Sequence, residues 1–224
     1  MQVVTLASRK GGAGKTTLAG HLAVEAEKAG YGPVALVDFD PQGSLSSWWN
    51  LRESATPTFA NFPIGQAEEG LAALAASGIK LSIIDTPPTL SLAVARAIAC
   101  ADFVVMPLRP SPHDLRSVGA TLDLVESMSK PFMFVLNASS RRSRLVAESR
   151  TVLSDLGPVA KTVVHARVDF AASMVDGRVV GEVTRAVQAS EEIRSLWREV
   201  CAHLPEQQQI TSTPSKEPQE HLGR

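Results

Sequence analysis

Residues 8–17 read SRKGGAGKTT and follow the apolar run Val3–Ala7. The stretch ends like a phosphate-binding loop, yet the spacing G-x-x-x-x-G-K-[ST] asks for glycine at position 9, where Arg9 stands. A second lysine, Lys10, opens the loop. The motif lies between a predicted strand and a predicted helix, the context that gives it meaning. Gly11, Gly12 and Gly14, with Ala13 between them, let backbone N–H groups converge on phosphate oxygens. The helix starting near Gly14 adds partial positive charge at its N-terminus. Lys15 is expected to reach the β- and γ-phosphates and the Thr16 hydroxyl to ligate Mg²⁺, with Thr17 completing the nucleotide-binding set. Lys10 is redundant on a triphosphate already held by Lys15, and its place at the loop's outer edge suggests a reach across to another subunit.

Outward from the loop, short β-branched runs alternate with helix-like stretches. Strands are predicted at 3–7, 34–40, 81–86, 102–108 and 132–137, each nearly continuous in apolar residues, as strands buried on both faces should be. Helices are predicted at 15–29, 67–77, 112–128, 145–156 and 190–204, the last starting at Ser190 with Glu191 and Glu192 in its first turn. The expected fold is α/β of the P-loop NTPase type, a mostly parallel twisted sheet with helices on both faces. Residues 1–204 read as one domain, and the polar segment 205–224, rich in Gln, Pro, Ser and Glu, as a disordered tail.

The 224 residues are 44% hydrophobic and 20% charged, enough for a substantial core and against wholesale disorder. A formal net charge of −1 advertises no bulk attraction to nucleic acid, which leaves room only for a local basic patch. Cys100 and Cys201 have no metal-ligand spacing and read as small apolar filler. Met1 leads straight into QVVTLA, without the basic start of a leader, and no apolar run approaches the ~20 residues of a membrane helix. A cytoplasmic protein is expected.

Two acidic motifs support nucleotide binding. IIDTPP ends a buried strand with Asp85, where a Walker B carboxylate would hold Mg²⁺. In VDFDPQGS, Asp38 and Asp40 alternate along a strand end and are expected to face the same side, sharing a cation that relieves their repulsion. The metal set read this way is Thr16, Asp38, Asp40 and Asp85, with Asp40 positioning the attacking water.

KGGAGKTT, VDFDPQGS and IIDTPP, in this order and at these separations, resemble the deviant Walker A ATPases, which include ParA partition proteins, MinD and the nitrogenase iron protein. The D-x-D-P-Q-G stretch, with RVDFAASMVDGRVVGE (167–182) and SEEIRSLWREV (190–200), is similar to short ParA proteins lacking the N-terminal DNA-binding extension. The resemblance covers about residues 1–204. It implies that Lys10 is the signature lysine that crosses an ATP-sandwich dimer, and that Lys10, Lys15 and Asp40 are catalytic. It also implies that Asn137 contacts the adenine. It further implies slow ATP hydrolysis stimulated by a ParB-like, centromere-binding or adaptor partner, a homodimer in the ATP state, nonspecific double-stranded DNA as ligand and a nucleoid-associated location. Cysteines placed to hold an iron–sulfur cluster are missing, and the tail has no amphipathic membrane helix of the MinD kind.

Arg141, Arg142, Arg144 and Arg150 crowd the segment 139–150 and are candidates for phosphate contacts, as are Arg167, Arg185 and, less specifically, Arg178, Arg194 and Arg198. Ion pairs within the chain compete for some of them, such as Glu191 with Arg194 or Arg198 with the neighbours of Glu199. Trp48 and Trp49 adjoin on a predicted helix, so one is expected in the core and the other at the surface. The expected function is an ATP-driven switch that segregates plasmid or chromosome DNA. The alternatives are the same switch positioning a chemoreceptor cluster or microcompartment, and an ATP-dependent ligase resembling dethiobiotin synthetase or cobyrinate amidase.

Overall fold

The computed structural model describes residues 1–89 and 91–204; the tail expected at 205–224 lies outside them. Among the described residues, six parallel strands form one sheet in the order β3-β2-β4-β1-β5-β6. They are β1 (Gln2–Leu6), β2 (Val34–Asp38), β3 (Thr58–Ala60), β4 (Leu81–Asp85), β5 (Phe103–Leu108) and β6 (Phe132–Leu136). The five apolar runs legible in the sequence are all strands; the short edge strand β3, half exposed, carries too little apolar pattern to announce itself.

Strand residues alternate between two cores, as a period of two requires. Val4, Leu6, Leu36, Ile83, Val105 and Val135 face one side. There they meet α1 (Lys15–Lys28), α2 (Ser44–Trp49), α8 (Val168–Met174) and α9 (Val187–Cys201). Val3, Val37, Ile84, Val104, Met106 and Phe134 face the other. That side is covered by α3 (Ala67–Ala76), α4 (Leu92–Ala99), α6 (Gly119–Ser127) and α7 (Leu145–Ser154). Burial on both faces explains the near-continuous apolar strands.

Several boundaries differ from the sequence reading. The helix expected over 112–128 is two, α5 (Pro112–Ser117) and α6, parted at Val118. Gly119 weakens the helix there, and the Ser117 hydroxyl turns back to donate to the Asp114 carbonyl. The start at Pro112 agrees with the expectation, and Ser111 caps it: its Oγ accepts from the Asp114 N–H at 3.1 Å. Ser190 does not cap α9, which starts three residues earlier; its N–H already donates to the Ala186 carbonyl at 2.8 Å inside the helix. Buried Ala186 is fixed by the turn from Val183, so the helix begins before the polar signal.

Both tryptophans on α2 are packed. Trp48 is buried, lies against Gly20 of α1 and donates from Nε1 to the Arg178 carbonyl at 3.1 Å. Trp49 is half-buried against Phe59 and donates to the Pro57 carbonyl at 2.8 Å. The partition between core and surface is therefore less sharp than adjacency alone suggests.

Candidate functional site

Because every strand is parallel, the loops after β1, β2, β4, β5 and β6 emerge at one edge of the sheet. Asp38 and Asp85 are register partners at the ends of β2 and β4, and Asp85 is also level with Leu6 at the end of β1. The segment 7–14 leaves β1 between these carboxylates and β5, then enters α1. This crevice beyond the carboxyl ends of the strands is where open α/β sheets hold ligands.

The loop's shape is set by Gly12 and Gly14, whose φ values of +73° and +89° fall in the left-handed region. Space is as decisive as angle. A Cβ on Gly14 would lie 2.2 Å from Asn137 Nδ2, and that nitrogen donates to the Ala13 carbonyl at 2.7 Å. Asn137 thus pins the loop with one of its two amide N–H groups.

Lys15 is buried and donates from Nζ to the Ser8 carbonyl at 3.1 Å. Burial pushes its pKa down, against the pull of Asp85 and Asp40. The Thr16 hydroxyl donates to Asp85 Oδ2 at 2.5 Å, so the two expected Mg²⁺ residues are brought together. Burial raises the Asp85 carboxyl to about 7; the Thr16 bond opposes this, and the nearby Asp38 charge adds to it. Asp85 Oδ1 is buried without a hydrogen-bond partner. A buried carboxylate with one orphaned oxygen and a hydroxyl beside it suits a hard cation, so Thr16 and Asp85 fit Mg²⁺.

Asp38 and Asp40, the other two residues of the expected metal set, line one pocket, and both charges act on Asp85. β2 ends at Asp38, and Asp40 lies in the turn beyond it, so the two do not alternate along one strand as the sequence suggested. Both Asp38 oxygens hold that turn, accepting the Asp40 N–H at 2.9 Å and the Ser46 N–H at 3.1 Å. Asp40 Oδ1 accepts the Gln42 N–H at 3.0 Å. Among the described residues no group of three or more His, Cys, Asp or Glu side chains is placed to hold a metal.

Lys10 stands exposed on the outer rim, and its ammonium meets no acceptor among the described residues. Gly11 beside it is open to solvent, with nothing within 4 Å of a built Cβ. Next to the loop lies a cleft of about 450 Å³ lined by Gly12, Gly14, Thr17, Asn137, Val164 and Phe170 among others.

Arg167, a candidate for phosphate contacts, also lines this cleft. Its guanidinium bonds Glu192 Oε1 at 2.7 Å and Gln188 Oε1 at 2.8 Å and is mostly buried. No local pattern announces this partner, since Glu192 lies 25 residues away. Burial would raise the Glu192 carboxyl, but Arg167 and the His165 N–H hold it below its ordinary value. Arg150 is likewise committed, donating to the Ala160 carbonyl at 2.7 Å and the Lys161 carbonyl at 3.2 Å. Arg178 pairs with Asp176, while Arg194 and Arg198 both pair with Glu191. Glu199 instead accepts the N–H groups of Lys161 and Thr162. Arg141 is exposed and bonds Gln188 at 3.1 Å. Arg142, Arg144 and Arg185 are exposed with no acceptor among the described residues.

The parallel sheet, the left-handed glycines and the Lys15–Thr16–Asp85 cluster together define a P-loop nucleotide-binding protein. The family model described as CbiA, the CobQ/CobB/MinD/ParA nucleotide binding domain, matches residues 4–217, and the chain belongs to that family. It is 31% identical over 208 residues to the maintenance of carboxysome distribution protein A of Halothiobacillus neapolitanus, covering 88% of this chain and 95% of that one. It is 30% identical over 154 residues to the chromosome-partitioning ATPase Soj of Thermus thermophilus, covering 56% of this chain and 61% of that one. The crystal structure of the cell division ATPase MinD from Pyrococcus furiosus superposes with a TM-score of 0.75 at 17% identity, over 90% of this chain and 98% of that one, a likeness of fold.

Proposed function

We propose that the protein is an ATP-dependent dimerising switch that binds nonspecific DNA and uses it as a surface on which a cargo is positioned. The observation that carries the reading is the exposed Lys10 ammonium, without an acceptor among the described residues, beside a loop that already carries Lys15 and the Thr16–Asp85 pair. In this reading Lys15 and Thr16 serve the subunit's own nucleotide, while Lys10 reaches the partner's and makes the triphosphate a contact between subunits. Bound Mg²⁺ would neutralise phosphate charge, and Asp40 would orient the attacking water. Hydrolysis removes the γ-phosphate contacts and releases the dimer, and with it the DNA.

The cargo we favour is a protein compartment. A relative named for carboxysome distribution matches along nearly its whole length, whereas the chromosome-partitioning relative matches along less than two thirds. Segregation of plasmid or chromosome DNA is the second reading, supported by the likeness to the chromosome-partitioning ATPase Soj. A partner protein that stimulates hydrolysis belongs to both.

Lys10→Ala tests the switch. The variant is expected to bind ATP nearly as the parent does while losing ATP-dependent dimerisation in sedimentation. Normal dimerisation of that variant would remove Lys10 from the interface and with it the proposed mechanism. ATPase assays with DNA and with the product of the neighbouring gene test the cargo reading, and turnover that instead requires a carboxylate metabolite would favour a ligase.

A further inference from the structure

Arg109, the first residue beyond β5, is a side chain that the loop motif does not include. Its guanidinium lies over the phosphate loop: a Cβ on Gly12 would sit 2.6 Å from Nη2 and 3.5 Å from Cζ. The guanidinium is exposed and has neither a hydrogen bond nor an ion pair among the described residues. Its charge is therefore uncompensated beside the phosphate loop.

The backbone that carries it is fixed. The Ala7 N–H donates to the Val105 carbonyl at 3.0 Å, which ties the start of the loop to β5. The Arg109 carbonyl accepts the Ser111 N–H at 2.8 Å, and the Arg109 N–H points to Asp114 Oδ1 at 3.4 Å. Asp114 is itself buried and bonded to the Ser111 hydroxyl at 2.5 Å. Only the side chain of Arg109 is free to move, and it rests where Gly12 leaves room for it.

We propose that Arg109 is a phosphate-contacting residue of this site, a planar bidentate donor to the nucleoside triphosphate held by the loop of its own subunit. This rests on the nucleotide reading above. A guanidinium matches two oxygens of one phosphate group, which the point charges of Lys10 and Lys15 do not. A side chain at Gly12 would compete with the guanidinium for this place, and the flexible Arg109 tip would have to shift.

The full-length Lys10→Ala protein is the parent for the test, so that binding is measured apart from dimerisation. With Mg²⁺ and fluorescent mant-ATP, Arg109→Ala and Arg109→Gln are each expected to weaken binding about tenfold, the usual scale for one charge-assisted contact. Arg109→Lys should fall between them and the parent. Affinity in both neutral variants within twofold of the parent overturns the assignment and leaves the nucleotide reading standing. A parent that binds no mant-ATP overturns both. Thermal melts of the nucleotide-free proteins supply a second readout. Gly12→Ala should lower Tm less when Arg109 is already Ala, because only the backbone strain then remains; equal losses in the two backgrounds would mean that the guanidinium does not occupy that place.

Discussion

His21 lies one turn along α1 from the phosphate loop, fully buried, with Nδ1 2.7 Å from the Thr17 carbonyl. For that contact to be a hydrogen bond Nδ1 must carry the proton, and the buried Nε2 has no partner. Phe170 of α8 packs edge-on against the ring. Burial lowers the pKa to about 4 although the Thr17 carbonyl opposes this. The folded chain thus binds fewer protons than the unfolded one between about pH 4 and the ordinary histidine value of about 6.5. Stability supplied by neutral His21 is complete above that window and falls as the pH drops through it, by at most about 1.4 kcal/mol per unit. In denaturant titrations from pH 7.5 to 4.5, the parent is expected to lose more stability than His21→Leu; parallel losses would contradict it. At the same scale, Asp40→Ala is expected to slow turnover about a hundredfold while ATP binding survives, leaving a persistent ATP-bound dimer in sedimentation. Undiminished turnover would exclude Asp40 from water positioning.

At the scale of elements, α2 is tied to the segment before α9 by Arg52. Its guanidinium is almost fully buried, bonds Glu182 Oε1 at 2.9 Å and the Gly177 carbonyl at 2.7 Å, and lies 5.0 Å from the Trp48 ring centroid. Arg52→Ala strands Glu182 and uncovers Trp48, and is expected to cost about 3 kcal/mol, the low end for a broken buried pair because Glu182 keeps some solvent contact. Chemical denaturation measures this directly; a loss below about 0.5 kcal/mol would mark Arg52 as an ordinary surface arginine. Nothing local in LSSWWNLRE forecasts the contact, since Glu182 is 130 residues away. The strands, α1 and the loop were legible because periodicity and the K-G-G-x-G-K-T spacing are local signals. The meeting of Thr16 with Asp85 could be anticipated from two motifs that each end a strand. Arg109 and the Arg167–Glu192 pair could not, because adjacency across β5 and α9 exists only after folding. Asp38 and Asp40 line one pocket, but the turn that carries Asp40 was not legible, because the period-2 rule ends with the strand at Asp38.

For the molecule as a whole, Arg52, Arg150, Arg167, Arg178, Arg194 and Arg198 are committed to intramolecular partners, which narrows the basic surface of a near-neutral chain. Arg141, Arg142, Arg144 and Arg185 remain exposed in the segments before α7 and α9, and Arg141 reaches Gln188 of α9 across the gap. Replacing Arg141, Arg142 and Arg144 together by alanine is expected to weaken retention on duplex DNA in the ATP state and to flatten its salt dependence, by about 0.9 in log–log slope for each lost phosphate contact. An unchanged slope would assign DNA binding to another surface. Arg167→Ala should leave that slope alone and lower thermal stability, since its charge is spent on Glu192. The parallel sheet has one more consequence, for measurement. All candidate nucleotide residues lie at the carboxyl edge, so the opposite edge, where exposed Ser77 and Ser129 lie in turns leading into β4 and β6, is separated from them by a strand's length, roughly 17 Å. A dye on Ser77→Cys would test for the proposed retention on DNA from the side that the candidate site leaves unused.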